Sequence, residues 1–233
     1  MSEYLSNIID NLTAIEREER DAIARATRLV ADVIKNDGLI YTFGCGHSHL
    51  PGLDAFYRAG GLANVSPILD TDLMLHNGAA KSSRMEKMSG IAPEVLRRYC
   101  LTERDMLFVF SASGKNAVPV EMAKSAVALG VPTVTVSSSA YYEHGGVMHT
   151  IGDIAIDCKV PYGDASIDVG EARMGALSTS AACFILNTCL IEGAKLALSE
   201  GKEPPVFLSG NIDGGKEFNI RLEQMYLGRV KHL

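Results

Sequence analysis

The sequence predicts an α/β fold on a mainly parallel sheet, and three observations support that. Met106-Leu107-Phe108-Val109-Phe110, the turn Ser111–Asn116, an apolar helix over 118–129 and the run Val131–Val136 form a complete βαβ unit. Such a crossover joins parallel strands by a right-handed connection. Earlier, the apolar run Leu39–Phe43 enters Gly44-Cys45-Gly46-His47-Ser48 and then a helical segment, which repeats the strand–loop–helix order. The first 37 residues instead space their apolar positions as a helix does, giving an N-terminal helix or helical pair that packs on the domain.

In that first segment Leu5, Ile8, Ile9, Leu12 and Ile15 share a face, continued by Ile23, Val30, Val33 and Ile34. Glu16–Asp21 between them reads as a solvated helix face, with Glu16 and Arg20 one turn apart. Asn36-Asp37-Gly38 ends the helix and divides segment 1–37 from the main domain, 38–233. A helix is expected from about Leu50 to Ala59, a strand over Asn64–Leu69 and a polar loop over Thr71–Ser83. Met85–Tyr99 reads as helix, with Pro93 a break or a first-turn residue. A weaker strand, Ile154–Ile156, precedes a loop rich in Asp and Gly. Ala176–Ser199 is a helix apolar on most sides, as helices in a core or at a subunit interface are. The tail holds Pro204-Pro205, the loop Ser209–Gly215 and a polar helix to about Val230.

At 233 residues and 47% hydrophobic, the chain supports one sizeable core. Its net charge of -6 disfavours a nucleic-acid or acidic-membrane surface, since those partners need clustered Lys and Arg. No stretch reads as long and apolar enough to span a bilayer, and the acidic start lacks the pattern of a secretory signal. The five cysteines are scattered, without a C-x-x-C, so reduced thiols and a cytoplasmic location are expected.

The strongest functional signal is the pair of loops that follow the strands. Where a parallel strand turns into a helix, orphan N–H groups and the helix dipole make an anion site. Gly44 and Gly46 let the backbone come close to a ligand; Ser48, Ser111 and Ser113 supply hydroxyls, Asn116 an amide and Lys115 a charge. One serine at a helix start is usually an N-cap, but two such junctions, the second with paired serines, point to a phosphate. A dinucleotide fingerprint does not fit, because His49 stands where the third glycine belongs, and no Walker lysine loop is present.

With these residues the chain resembles the SIS (sugar isomerase) domain family. Gly44-x-Gly46-His47-Ser48 is similar to that family's first glycine loop, and Ser111-x-Ser113-Gly114-x-Asn116 to its S-x-S-G-x-T loop. Asn116 and His47 stand where the family carries Thr, the latter in the isomerase lobe of glucosamine-6-phosphate synthase. The resemblance, over roughly Gly38–Ser199, implies a three-layer αβα sandwich with a flavodoxin-like sheet, a phosphorylated sugar as partner and a homodimer or homotetramer. His76-x-Gly78, Lys81-Ser82, Glu86, Gly175-x-Leu177-Ser178-Thr179 and Ser209-x-Asn211 resemble a bacterial branch labelled phosphosugar or phosphoheptose isomerase. Phosphoheptose isomerases carry a His and a Glu on the helix after the first loop, where this chain has Asp54 and Arg58.

Aldose–ketose isomerisation needs a base beside the carbon alpha to a carbonyl, a group for the ring proton and enediolate stabilisation. Glu86 and Glu171 are the two candidate bases, His76 the candidate for ring opening, and Lys81 and Ser178 further ligand contacts. Each has a plainer reading: Glu86 as an exposed helix acid near Arg84 and Lys87, His76 as a surface histidine, Arg173 as loop solvation. His47, His49 and His76 lack a completing acid–histidine pair, so neither metal nor cofactor is expected. Two function classes follow. One is an enzyme that begins with proton abstraction: isomerase, amino-sugar phosphate deaminase or ether lyase. The other is a non-catalytic phosphosugar sensor, which the lack of room for a basic DNA-binding domain before Leu39 makes the second choice.

Overall fold

Two helices, α1 (Glu3–Glu18) and α2 (Arg20–Lys35), open the chain in a computed structural model that describes residues 1–233. They break at Glu19, whose carboxylate accepts the Asp157 N–H at 3.2 Å and pairs with Lys159 at 2.9 Å. Next come β1 (Ile40–Gly44), α3 (Leu50–Ala55), β2 (Val65–Pro67), α4 (Ala79–Met85), α5 (Ile91–Leu96), β3 (Met106–Phe110), α6 (Ala117–Ala128), β4 (Thr133–Ser137) and β5 (Ile154–Asp157). The strands β6 (Ala165–Val169) and β7 (Ala172–Ala176), then α7 (Ser178–Ser199) and α8 (Gly215–Tyr226), complete the chain.

The sheet runs β2-β1-β3-β4-β5 with every pair parallel. This is the flavodoxin-like order, and it reverses between β1 and β3, opening a crevice at the carboxyl ends of those strands. Alternate strand residues serve opposite faces. Ile40, Met106, Phe108, Phe110, Val134 and Val136 join α1, α2 and α7 in one cluster. Tyr41, Phe43, Leu107 and Val109 join α5, α6 and α8 in the other. The fold is therefore a three-layer αβα sandwich, and the N-terminal helices supply Ile15, Ala26 and Val30 to its first cluster.

Five elements differ from expectation. The helix read over Met85–Tyr99 is split, since α4 ends at Met85 and α5 covers only Ile91–Leu96, after Gly90 in the left-handed region, with Pro93 in its first turn. The helix after the first loop ends at Ala55 rather than Ala59, because residues 60–63 pair with the tail instead: Gly60 N–H donates to Phe207 and Ala63 N–H to Pro205, both at 2.7 Å. The polar stretch 71–83 is not all loop. The Asp70 carboxylate caps the Asp72 N–H, two 3-10 turns follow, and a polar helix starts at Ala79. Residues 165–176 form an antiparallel hairpin rather than a loop. Finally, α7 has 22 residues and an 18-residue stretch with a mean hydropathy of 1.5, which makes it long and apolar enough, by length and composition alone, to cross a bilayer. Its apolarity has another cause here, since Ala181, Ile185, Cys189 and Leu190 pack into the first core cluster with α2.

Candidate functional site

At the end of β1 the chain turns so tightly that a Cβ on Gly44 would lie 2.1 Å from the Ser48 carbonyl oxygen, so only glycine fits. The 3-10 turn Gly46–His49 follows, and the N–H groups of Gly46 and His47 find no acceptor within the chain. The second loop is built the same way. Buried Ser111 accepts the Gly114 N–H at its Oγ (3.2 Å), with Gly114 at φ +57. The Ala112 carbonyl accepts from Ser138, and the Gly114 carbonyl accepts from Val147 and Met148, so the segment after β4 clamps the loop from behind. The amides of Ala112, Ser113, Lys115 and Asn116 remain without intramolecular acceptors. A row of free amides at the start of a 12-residue helix is an anion-binding concavity.

These loops meet α7 in a narrow cleft of about 10 Å³ lined by His47, Ser48, Ser111, Ala112, Ser178 and Thr179, with the Cys158 thiol also in its wall. Burial pushes that thiol up to about 12, so it is not a nucleophile at neutral pH. A larger hollow, about 770 Å³, lies under the other ends of β1 and β3 around Tyr41 and Arg104. It lacks strand-end amides, so chemistry rather than size selects the cleft.

A family model described as SIS domain matches residues 3–138, more than half of the chain. This chain belongs to the SIS-domain family. A UPF0309 protein of Thermoanaerobacter pseudethanolicus is 37% identical over 244 residues, spanning 99% of each chain. In fold, the SIS chain is similar to a phosphoheptose isomerase from Francisella tularensis (TM-score 0.54, 15% identity, covering 84% of this chain and 100% of that one). It is also similar to the Vibrio vulnificus NanR protein complexed with ManNAc-6P (TM-score 0.51, 15% identity, 98% of this chain and 69% of that one).

Around the cleft of this SIS domain the expected residues divide into groups. Gly46, His47, Ser48, Ser111, Ser113, Gly114 and Asn116 lie on the two loops, with Lys115 exposed beside them. Glu86 is half-buried just after α4, and its carbonyl accepts the Val118 N–H at 3.0 Å, which fixes it to the start of α6. Burial raises its carboxyl above the usual carboxylate range, while hydrogen bonding from the Asn116 side chain works the other way. Asn116 occupies the N-cap of α6 without capping it. His76 is exposed in a 3-10 turn, its ring edge-on to His49 with centroids 6.0 Å apart. His49 is buried; its Nδ1–H donates to the Gly46 carbonyl, leaving Nε2 as the basic nitrogen. Burial, then the neighbouring His76 and His47, hold His49 below the usual histidine range.

Other expected contacts are engaged elsewhere. Lys81 pairs with Asp72 at 2.7 Å, and Arg173 pairs with Asp168 at 2.9 Å. Asp54 and Arg58 pair with each other, and Asn187 on α7 donates to Asp54 at 3.0 Å. Glu171 sits in the exposed turn of the β6–β7 hairpin, about 17 Å along the strand from the end of β7 at Ala176, at some 3.3 Å per residue, and α7 starts beyond that. Sequence reasoning missed Asp164, whose carboxylate accepts the N–H of Leu177 (3.1 Å) and Ser178 (2.9 Å) and the Ser178 hydroxyl (2.5 Å). Ser178 thus spends its proton on Asp164 and can only accept from a ligand. Thr179, unclaimed by Asp164, is the donor that α7 brings to the cleft.

Proposed function

We propose that this SIS protein binds a phosphorylated sugar in the cleft and acts on it as an isomerase, or as an amino-sugar phosphate deaminase or lyase, starting by proton abstraction alpha to a carbonyl. The observation that carries this reading is the convergence of two strand-end loops with unpaired amides next to a half-buried carboxylate, Glu86, at the start of α6. The phosphate sits on the amides of Ala112, Ser113, Lys115 and Asn116, with donors from Ser111 and Ser113, and Lys115 adds charge from the rim. His76 and His49 stand beside the first loop for ring opening. Glu86 takes the proton from the carbon next to the carbonyl and returns it to the neighbouring carbon in an isomerisation; in a deaminase or lyase the leaving group departs instead. A carboxyl raised by burial is better matched to neutral pH as a base. The similarity to both an isomerase and a ManNAc-6P complex is consistent with a sugar-phosphate ligand. The five free cysteines fit a reducing, cytoplasmic setting.

Solvent deuterium incorporation next to the carbonyl, followed by NMR for each sugar phosphate the protein binds, tests the catalytic step. Exchange that falls at least about a hundredfold in Glu86→Gln, with binding retained, supports the assignment. Exchange lost in Glu171→Gln instead reverses the two carboxylates' roles. Wild-type protein that binds a sugar phosphate and exchanges no proton is a sensor.

A further inference from the structure

The hollow beneath the amino ends of β1 and β3, about 770 Å³, falls in the size range of small-molecule sites, and a lone phosphate would leave most of it empty. The protein carries a net charge of -6, yet four cations and only two carboxylates line this wall. Neither carboxylate is free. Buried Asp105 accepts the N–H of Leu39 and of Thr102, both at 2.7 Å, and the Thr102 hydroxyl at 2.9 Å. Asp37 pairs with Arg229 at 3.1 Å. Arg98 is paired too, at 2.9 Å, with Asp70 outside the hollow. Arg104 and Lys231 are left without a carboxylate partner. Both are held in place. A Cβ on Gly38 would lie 2.0 Å from the Arg104 carbonyl oxygen, so only glycine lets the loop before β3 pack there. Lys231 Nζ donates to the Arg98 carbonyl at 2.7 Å and lies 4.6 Å from the centre of the Tyr99 ring.

Tyr41 points to a ligand independently. It is 2% exposed, and its hydroxyl has no hydrogen-bond partner in the chain. Buried tyrosines normally pair that group, as Tyr99 does here with Leu69. Asp105, Cys100, Arg229 and Tyr99 surround the Tyr41 hydroxyl, and all four line the hollow with it, so the unpaired group opens into that space. Burial raises the phenol above the usual tyrosine range, which keeps it a neutral donor at neutral pH. The cations are exposed at the rim, whereas Leu39, Tyr99 and Val230 beside Tyr41 are buried. An occupant that suits this wall has an anion at one end and a largely apolar body with a hydrogen-bond acceptor at the other. We propose that the hollow binds a nucleotide, its phosphate on Arg104 and Lys231 and its base against Leu39 and Val230, accepting from the Tyr41 hydroxyl. It is not a second catalytic centre, since both of its carboxylates are already engaged. Tyr41 lies about 10 Å along β1 from Gly44, at some 3.3 Å per residue, so the nucleotide and the sugar phosphate bind apart.

Titration calorimetry of the full chain with AMP, ADP, GMP and UMP, each beside its nucleoside, tests this. At least one nucleotide is expected to bind, and its nucleoside to bind more weakly. Arg104→Ala should weaken that nucleotide about tenfold, the scale of one lost charge-assisted hydrogen bond. Tyr41→Phe should weaken it several-fold while the free protein unfolds at no lower temperature, because the hydroxyl removed has no partner there. Ser113→Ala, in the sugar-phosphate cleft, should leave nucleotide affinity unchanged. Arg104 is exposed, so its variant folds and decides the matter if Tyr41→Phe does not fold. Failure of all four nucleotides to bind overturns the proposal, as does an affinity untouched by Arg104→Ala or by folded Tyr41→Phe. An affinity lost in Ser113→Ala puts the nucleotide in the cleft and overturns it as well.

Discussion

Replacing Glu86 by Gln separates two consequences of its place beside Asn116. Its folded carboxyl is raised, so its contribution to stability is full below the unfolded carboxylate pKa and is lost as pH rises through the folded value. Thermal unfolding of Glu86→Gln is therefore expected at a higher temperature than wild type at pH 7–8, with the gap closing near pH 4, even as turnover falls. A lower unfolding temperature at pH 8 would contradict a buried, unfavourably charged carboxylate. Ser113→Ala removes one donor from the phosphate loop, and titration calorimetry should show a bound sugar phosphate weakened by about 1.5–3 kcal/mol, the range for a hydrogen bond to a charged group. Ser113 could be singled out from the sequence because it stands within a few positions of the β3–α6 junction, whereas Glu86 stands out only as an acid following a polar stretch. Asp164 could not be singled out. It caps a helix residue 14 positions away across an intervening hairpin, and no short window contains both ends of that contact.

Elements show the same division between local and distant causes. The first loop depends on Gly44 having no side chain, and Gly44→Ala must push the Ser48 backbone away from a contact of 2.1 Å. Chemical denaturation should register a loss of about 1–3 kcal/mol, the usual cost of overpacking, together with lost anion affinity. At the other end of the molecule Glu200 ties the end of α7 to α2 through Arg28 and Lys35, both at 2.6 Å. These hydrogen bonds lower its carboxyl to about 2, so the stability it adds is present above the unfolded carboxylate pKa and is lost as pH falls toward 2. Glu200→Gln should unfold at a lower temperature than wild type at pH 7, less so in high salt, and the difference should vanish near pH 2. The hairpin was within reach of sequence reading: residues 165–169 and 172–176 alternate strictly around Gly170-Glu171, a two-residue turn with Gly170 at φ +63. Asp and Gly content concealed that period of two. The start of α4 left no such trace, because a polar, exposed helix has no apolar stripe to show.

Across the whole molecule, the sheet was legible because apolar runs such as Met106–Phe110 are buried on both faces and stand out against their turns. Strand order followed from the crossover rule and the resemblance, and it places the two glycine- and serine-containing loops on either side of the point where that order reverses. What sequence could not give is which side chains of α7 face the cleft, since a helix apolar on most sides has no marked face. The central claim is that this cleft recognises the phosphate of a sugar phosphate. Thermal unfolding across hexose, amino-sugar and heptose phosphates, each beside its unphosphorylated sugar, tests it most directly. A ligand at a hundred times its dissociation constant adds about 2.7 kcal/mol, several degrees for a chain of this size. The account predicts that at least one sugar phosphate raises the unfolding temperature, that its free sugar does not, and that Ser113→Ala shrinks the shift. Equal shifts with and without the phosphate, or a shift untouched by Ser113→Ala, would contradict it.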